Sequence, residues 1–181
     1  MKIYTLFFLI ILLLKSDHYG QTSEFETNAK NFEFNQMKLG LPLHSFLEKY
    51  PNAEKIKDED DEIVEVESFK VENLPNAWGG IFRFLKKKLI VIAVLYSEEY
   101  LKSRGTVAAI AEKLIEKFGK GYSNEMVEDE KYFSISWDFK NVNRYVTFRI
   151  FDDGSGVLSI KDEEALREIR KEQAKKADFG F

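Results

Sequence analysis

Cysteine is absent from the 181 residues. Its absence excludes disulfides, thiol chemistry and thiolate metal sites, and it leaves no residue to acylate at the end of a leader. Histidine is almost as scarce, with only His18 and His44, and of these only His44 lies beyond the first twenty residues. A multi-histidine metal centre is therefore excluded, as is any Ser-His-Asp arrangement that does not use His44. Charge of one sign is lacking too: 27 basic residues face 31 acidic ones, for a net −4. Without residues 1–20, which carry Lys2, Lys15 and Asp17, the balance becomes one unit more negative. Such a chain has no electrostatic footprint for nucleic acid or anionic lipid.

Long hydrophobic runs are missing as well, apart from Ile3–Leu14 behind the basic Met1-Lys2 start. As a helix this run reaches roughly 18 Å, short of a hydrocarbon core of about 30 Å. Its length and polar flank are those of a secretory signal, with cleavage expected after Gly20. An uncleaved N-terminal anchor is the alternative, and the only route by which this chain is expected to meet a membrane. The expected organisation is a signal over 1–20, a polar tail over 21–35 docking through Phe32 and Phe34, an α+β domain over 36–161, and a charged C-terminal helix and tail over 162–181.

Within the domain, Leu43, Phe46, Leu47 and Tyr50 recur at helical spacing between Pro42 and Pro51,. The acidic run Asp58–Glu62 follows. Three strands are then expected over Ile63–Glu72, Trp78–Leu85 and Leu89–Tyr96, the last two joined by a lysine-rich turn. The run LIVIAVLY (Leu89–Tyr96) is apolar on both faces and belongs in the sheet centre. An amphipathic helix spans Thr106–Phe118, with Val107, Ile110, Ala111, Leu114 and Phe118 as its stripe and Gly119 as its C-cap. Strands follow over Tyr132–Lys140, Tyr145–Asp152 and Val157–Lys161. Asp162 caps a terminal helix, Glu163–Ala177, expected to lie loosely on the surface. The fold class is thus α+β: an antiparallel sheet with helices packed on one face, two helix-plus-three-strand halves, and an extra C-terminal helix.

The best-patterned hairpin fixes which residues are available for function. Matching apolar sets puts Phe139 opposite Val146, Trp137 opposite Phe148 and Ile135 opposite Ile150, around a loop Asn141–Arg144. The other face then carries Ser134, Ser136, Asp138, Thr147, Arg149 and Phe151, the candidate interaction surface, with Asp138 and Arg149 as diagonal neighbours.

No catalytic constellation, cofactor fingerprint or metal-ligand spacing accompanies that surface. Asp58–Glu62 lacks the glycine and the spaced ligands of a calcium loop, and Asp152–Gly156 reads as a hairpin turn. Gly79-Gly80 and Gly119-Lys120-Gly121 lack the strand–loop–helix setting of a phosphate loop. The charged helix before Phe181 is unlike the last strand of an outer-membrane barrel.

Leu39-Gly40-Leu41-Pro42, followed by Phe46-Leu47 and Tyr50-Pro51, resembles the opening of BamE-type outer-membrane assembly lipoproteins and of the β-lactamase-inhibitor-protein-like fold. Lys117-Phe118-Gly119 and the hairpin Phe82-Arg83-Phe84 to Leu89–Ile92 fit the same scheme. The resemblance implies a helix-packed antiparallel sheet that binds other proteins without catalysis. The chain departs from the lipoproteins in having no cysteine to acylate. The expected function is an exported, non-catalytic, cofactor-free module that binds another protein. The alternatives are a small-molecule or glycan binder with a sheet-side pocket near Trp78, and an enzyme of unrecognised type.

Overall fold

The structure, a computed structural model, describes residues 23–57, 65–120, 122–127 and 132–178. The expected signal, the acidic run 58–62 and Gly121 lie outside the described residues. Five helices are described: α1 (Ser23–Lys30), α2 (Leu43–Lys49), α3 (Glu98–Ser103), α4 (Val107–Phe118) and α5 (Glu163–Asp178). Eight strands make one antiparallel sheet: β1 (Glu54–Ile56), β2 (Val66–Glu72), β3 (Gly79–Leu85), β4 (Lys88–Tyr96), β5 (Ser123–Val127), β6 (Tyr132–Phe139), β7 (Arg144–Phe151) and β8 (Gly156–Asp162). Their order is β1-β2-β3-β4-β8-β7-β6-β5. Each half is a pair of helices followed by a four-strand meander, and the last strands of the two meanders, β4 and β8, pair at the centre. The sequence reading of three strands per half missed β1 and β5, the outermost strand of each.

Alternation decides the two faces. Phe69, Val71, Phe82, Phe84, Ile92, Val94, Ile160, Val146, Ile135, Trp137 and Phe139 share one side and are buried in a single cluster with Phe46 of α2 and Phe118 of α4. Phe46 sits with ring centroids 5.1 Å from both Phe82 and Phe84, so one side chain anchors α2 over β3. The Gly40-Leu41-Pro42 segment ties α2 to the start of β4: the Gly40 N–H donates to the Leu89 carbonyl, and the Leu89 N–H donates to that of Leu41. α4 begins at Thr106, whose hydroxyl accepts from the Ala109 N–H, and ends at Gly119 with φ 87°. There the Gly119 carbonyl accepts the buried Trp137 indole N–H at 2.8 Å, fixing the helix end to β6.

Two helices escape the sequence reading. Residues 23–30 form α1 rather than a tail. Phe25, Ala29 and Phe32 line up at spacings of four and three and pack into the main core beside α4. α3 starts at Ser97, whose hydroxyl accepts from the Tyr100 N–H, and it buries Leu101.

α5 departs from the one-face rule. It lies on the opposite side of the sheet, where Ile169, 2% exposed, packs with Val66, Leu85 and Ile90. It is therefore docked, not loose. Asp162 caps it as expected, its Oδ1 accepting from the Glu164 and Ala165 N–H groups, while its Oδ2 accepts from Arg144 at 2.9 Å. Lys86, in the β3–β4 turn, pairs with Glu168 on the same helix.

The β6–β7 register also departs from expectation. Phe139 pairs with Arg144, Trp137 with Val146 and Ile135 with Phe148, around a loop Lys140–Asn143. The loop has the expected length but begins one residue earlier. Asn143 takes the left-handed conformation (φ 52°) that asparagine tolerates, after a short 3₁₀ turn,. Pairing with the smaller Val146 also leaves room for the indole. Because the pairing moves by an even number of residues, every side chain keeps its face. Asp138 now faces Tyr145 and Arg149 faces Ser134, so the two are not diagonal neighbours. Asp138 instead lies 4.0 Å from Lys140.

Candidate functional site

Helices α1 to α4 cover one face of the sheet. Among the described residues, the other is covered only where α5 crosses the end of the sheet at Val66, Leu85 and Ile90. Ser134, Ser136, Asp138, Thr147, Arg149 and Phe151 all point to this second face. The alternation of β6 and β7 was enough to find them.

What it could not supply was the neighbours from other strands. β8 pairs with β7 so that Ser159 lies beside Thr147 and Lys161 beside Tyr145. Across the middle of the face runs a row of small hydroxyl side chains, Ser159–Thr147–Ser136–Ser123, one from each of β8, β7, β6 and β5. Adjacent members sit on strands about 4.8 Å apart. The five buried polar residues of the protein's described part, Ser68, Ser134, Ser136, Thr147 and Ser159, are all on this face. It is a polar floor. A sheet face that packed another layer of the same chain would carry the apolar side chains seen on its reverse.

Cations and aromatic rings stand around the floor. The Arg149 guanidinium lies 4.9 Å from the Tyr132 ring centroid, and the Lys161 ammonium 5.9 Å from that of Tyr145. Neither makes an ion pair among the described residues. Burial, and then the charge of Arg149, push the Lys161 pKa below the usual lysine range; Arg170 and Arg83 add to this, and Glu163 partly opposes it. Glu163 is itself 3.7 Å from Arg170. Beneath them the Thr147 hydroxyl is buried without a hydrogen-bond partner, a state that costs about 1–3 kcal/mol. Three of these features (like charges near one another, a half-buried ammonium without a carboxylate among the described residues, an unmet hydroxyl) work against stability.

The remaining candidates are weaker. His44 is exposed on α2, and among the described residues no group of three His, Asp or Glu could hold a metal ion. Asp153 belongs to the β7–β8 turn, accepting from the N–H and hydroxyl of Ser155. A hollow of about 410 Å³ lies at the β1 edge, lined by Lys49–Glu54 and Lys70–Asn73. It does not include Trp78, which is 65% exposed at the start of β3. The hollow's two lysines are already engaged: Lys49 donates to the Asn35 carbonyl and to Gln36, and Lys70 pairs with Glu72 at 2.7 Å. No described helix is long and apolar enough to cross a membrane. No family model, no curated protein and no solved structure matches this chain.

Proposed function

We propose that the chain is an exported, non-catalytic module that binds another protein on the open face of its sheet. The observation that carries this reading is the polar floor itself, a wide area of β5–β8 with hydroxyls, the exposed Arg149, a half-buried Lys161 and half-buried tyrosines, and no described helix over it. Tyrosine and arginine around a partner-facing centre are the side chains enriched in protein interfaces. The resemblance of the Gly40–Pro51 opening to exported protein-binding modules points the same way. Export itself rests on the sequence of residues 1–20, and no nucleic acid or cofactor enters the reading.

Photo-crosslinking in the producing cell tests it. A photoreactive residue at exposed Asp138 or Arg149 is expected to give a discrete protein adduct on irradiation. The same residue at exposed Glu112, on α4, is expected to give none. Equal adducts from both faces, or none from the sheet, would refute the reading. A second reading, a small-molecule binder, is favoured only by the hollow at the β1 edge. It predicts that Tyr50→Ala alters ligand binding while substitutions at Asp138 and Arg149 do nothing.

A further inference from the structure

The open face is chemically uneven. Its cations stand on both sides of the hydroxyl row: Lys161 and Arg83 flank Val91 in the neighbouring row that also carries Tyr145, Arg149 lies beyond the row, two residues along β7 from Thr147, and Arg170 approaches from α5. This occurs in a chain whose net charge is −4. Lys161 and Arg149 rest on tyrosine rings without a carboxylate partner among the described residues, although acidic side chains outnumber basic ones. The acids nearest to hand are directed elsewhere, Glu163 to Arg170 and Asp138 toward Lys140. Between the two cations the Thr147 hydroxyl is buried and unmet.

We propose that this part of the face receives an aspartate or glutamate side chain presented by the partner protein. Lys161 and Arg149 close on its carboxylate over the Ser159–Thr147–Ser136 row. The inference rests on the open face being the docking surface, and it adds the chemistry of what docks there. A carboxylate supplies the counter-charge that Lys161 and Arg149 lack among the described residues, and an acceptor for the Thr147 hydroxyl. Tyr132, Tyr145 and Phe151 give the rest of a peptide chain flat apolar surface to lie on. A polyanion such as nucleic acid is disfavoured by Asp138 and Glu163 on the same surface and by the acidity of the whole protein.

The probe is a random linear peptide library displayed on phage, selected against the purified protein. Enriched peptides are then measured on the wild type, on Arg149→Gln/Lys161→Gln, and on Ser123→Trp, which fills the exposed end of the hydroxyl row without changing charge. Enriched peptides are expected to share an acidic residue. Replacing that acid with its amide, or using the double variant, is expected to weaken binding about tenfold or more. The two changes combined should be less than additive, and the double variant should melt no lower than the wild type. If enriched peptides lose affinity with Ser123→Trp but ignore both the amide replacement and the double variant, the carboxylate inference is overturned while the open-face reading stands. A selection that yields no peptide sensitive to any of the three sheet substitutions overturns both.

Discussion

Replacing Gly119 with alanine puts two independent costs on one atom. Gly119 ends α4 with φ 87° and ψ 175°, a region that residues other than glycine occupy at about 1–3 kcal/mol. A Cβ added there would also stand 2.5 Å from Cδ2 and 2.7 Å from Cε2 of Phe25 on α1. Overpacking of this kind costs about 1–3 kcal/mol more. The backbone cannot relax cheaply, because rotating Gly119 would swing its carbonyl away from the buried Trp137 indole N–H, 2.8 Å away. The expected loss is therefore about 2–6 kcal/mol. In a domain of this size that is a fall in melting temperature of roughly 4–24 °C. A double-mutant cycle in urea separates the two parts. Phe25→Ala alone should cost about 1–3 kcal/mol, since the ring is only partly buried,. Combined with Gly119→Ala it should recover the steric share, leaving a coupling of about 1–3 kcal/mol. If Gly119→Ala lies within about 0.5 kcal/mol of the wild type, or if the two changes add without coupling, then α1 does not pack on the end of α4 as described.

Asp162→Ala removes both the α5 cap and the partner of Arg144, and should destabilise by about 2–3 kcal/mol in chemical denaturation; Asp162→Asn, which keeps a capping oxygen, should cost clearly less. Lys86 and Lys87 form the two-residue β3–β4 turn with φ 48° and 62°, so at position 87 glycine should be more stable than lysine and β-branched valine about 1–2 kcal/mol less stable, an order readable from three thermal melts. Lys161 has a pKa below its unfolded value because burial and Arg149 disfavour the ammonium. Its penalty is full below the folded pKa and disappears above the unfolded one. Lys161→Met should therefore melt above the wild type at pH 7, with the gap closing as the pH rises toward 10.5 and beyond; a lower melting temperature at pH 7 would show that the ammonium stabilises the fold.

The legible and illegible parts of this chain divide by range. The alternation in Tyr132–Phe139 and Arg144–Phe151 is a property of neighbouring residues, and it placed six side chains on the correct face even though the pairing was off by two. A slip by an even number cannot turn a strand over. The LIVIAVLY run likewise revealed a central strand, because a run apolar at successive positions suits the middle of a sheet better than its edge. Strand order carries no such local mark. Nothing in residues 156–162 announces that β8 lies between β4 and β7, so Ser159 and Lys161 could not be added to the surface. α1 was hidden by composition: three apolar positions among polar residues look like a tail until α4 exists for them to pack on. α5 was misjudged for the same reason, since Ile169 finds its pocket only once Val66, Leu85 and Ile90 have been brought together.

The central β4–β8 pairing has a consequence for the order in which the chain becomes safe. β4 is complete at Tyr96, but the strand that covers its free edge does not begin until Gly156, about 60 residues later. At a synthesis rate of about 5–20 residues per second, that delay is roughly 3–12 s. Throughout it, the most apolar strand of the protein presents an unpaired row of backbone donors and acceptors, the kind of edge that recruits other chains. Export would lengthen the interval, since the first half would reach the far side of a membrane before the second. The molecule's vulnerable period is thus built into its strand order, and a chaperone holding the nascent chain would have its natural hold on Leu89–Tyr96.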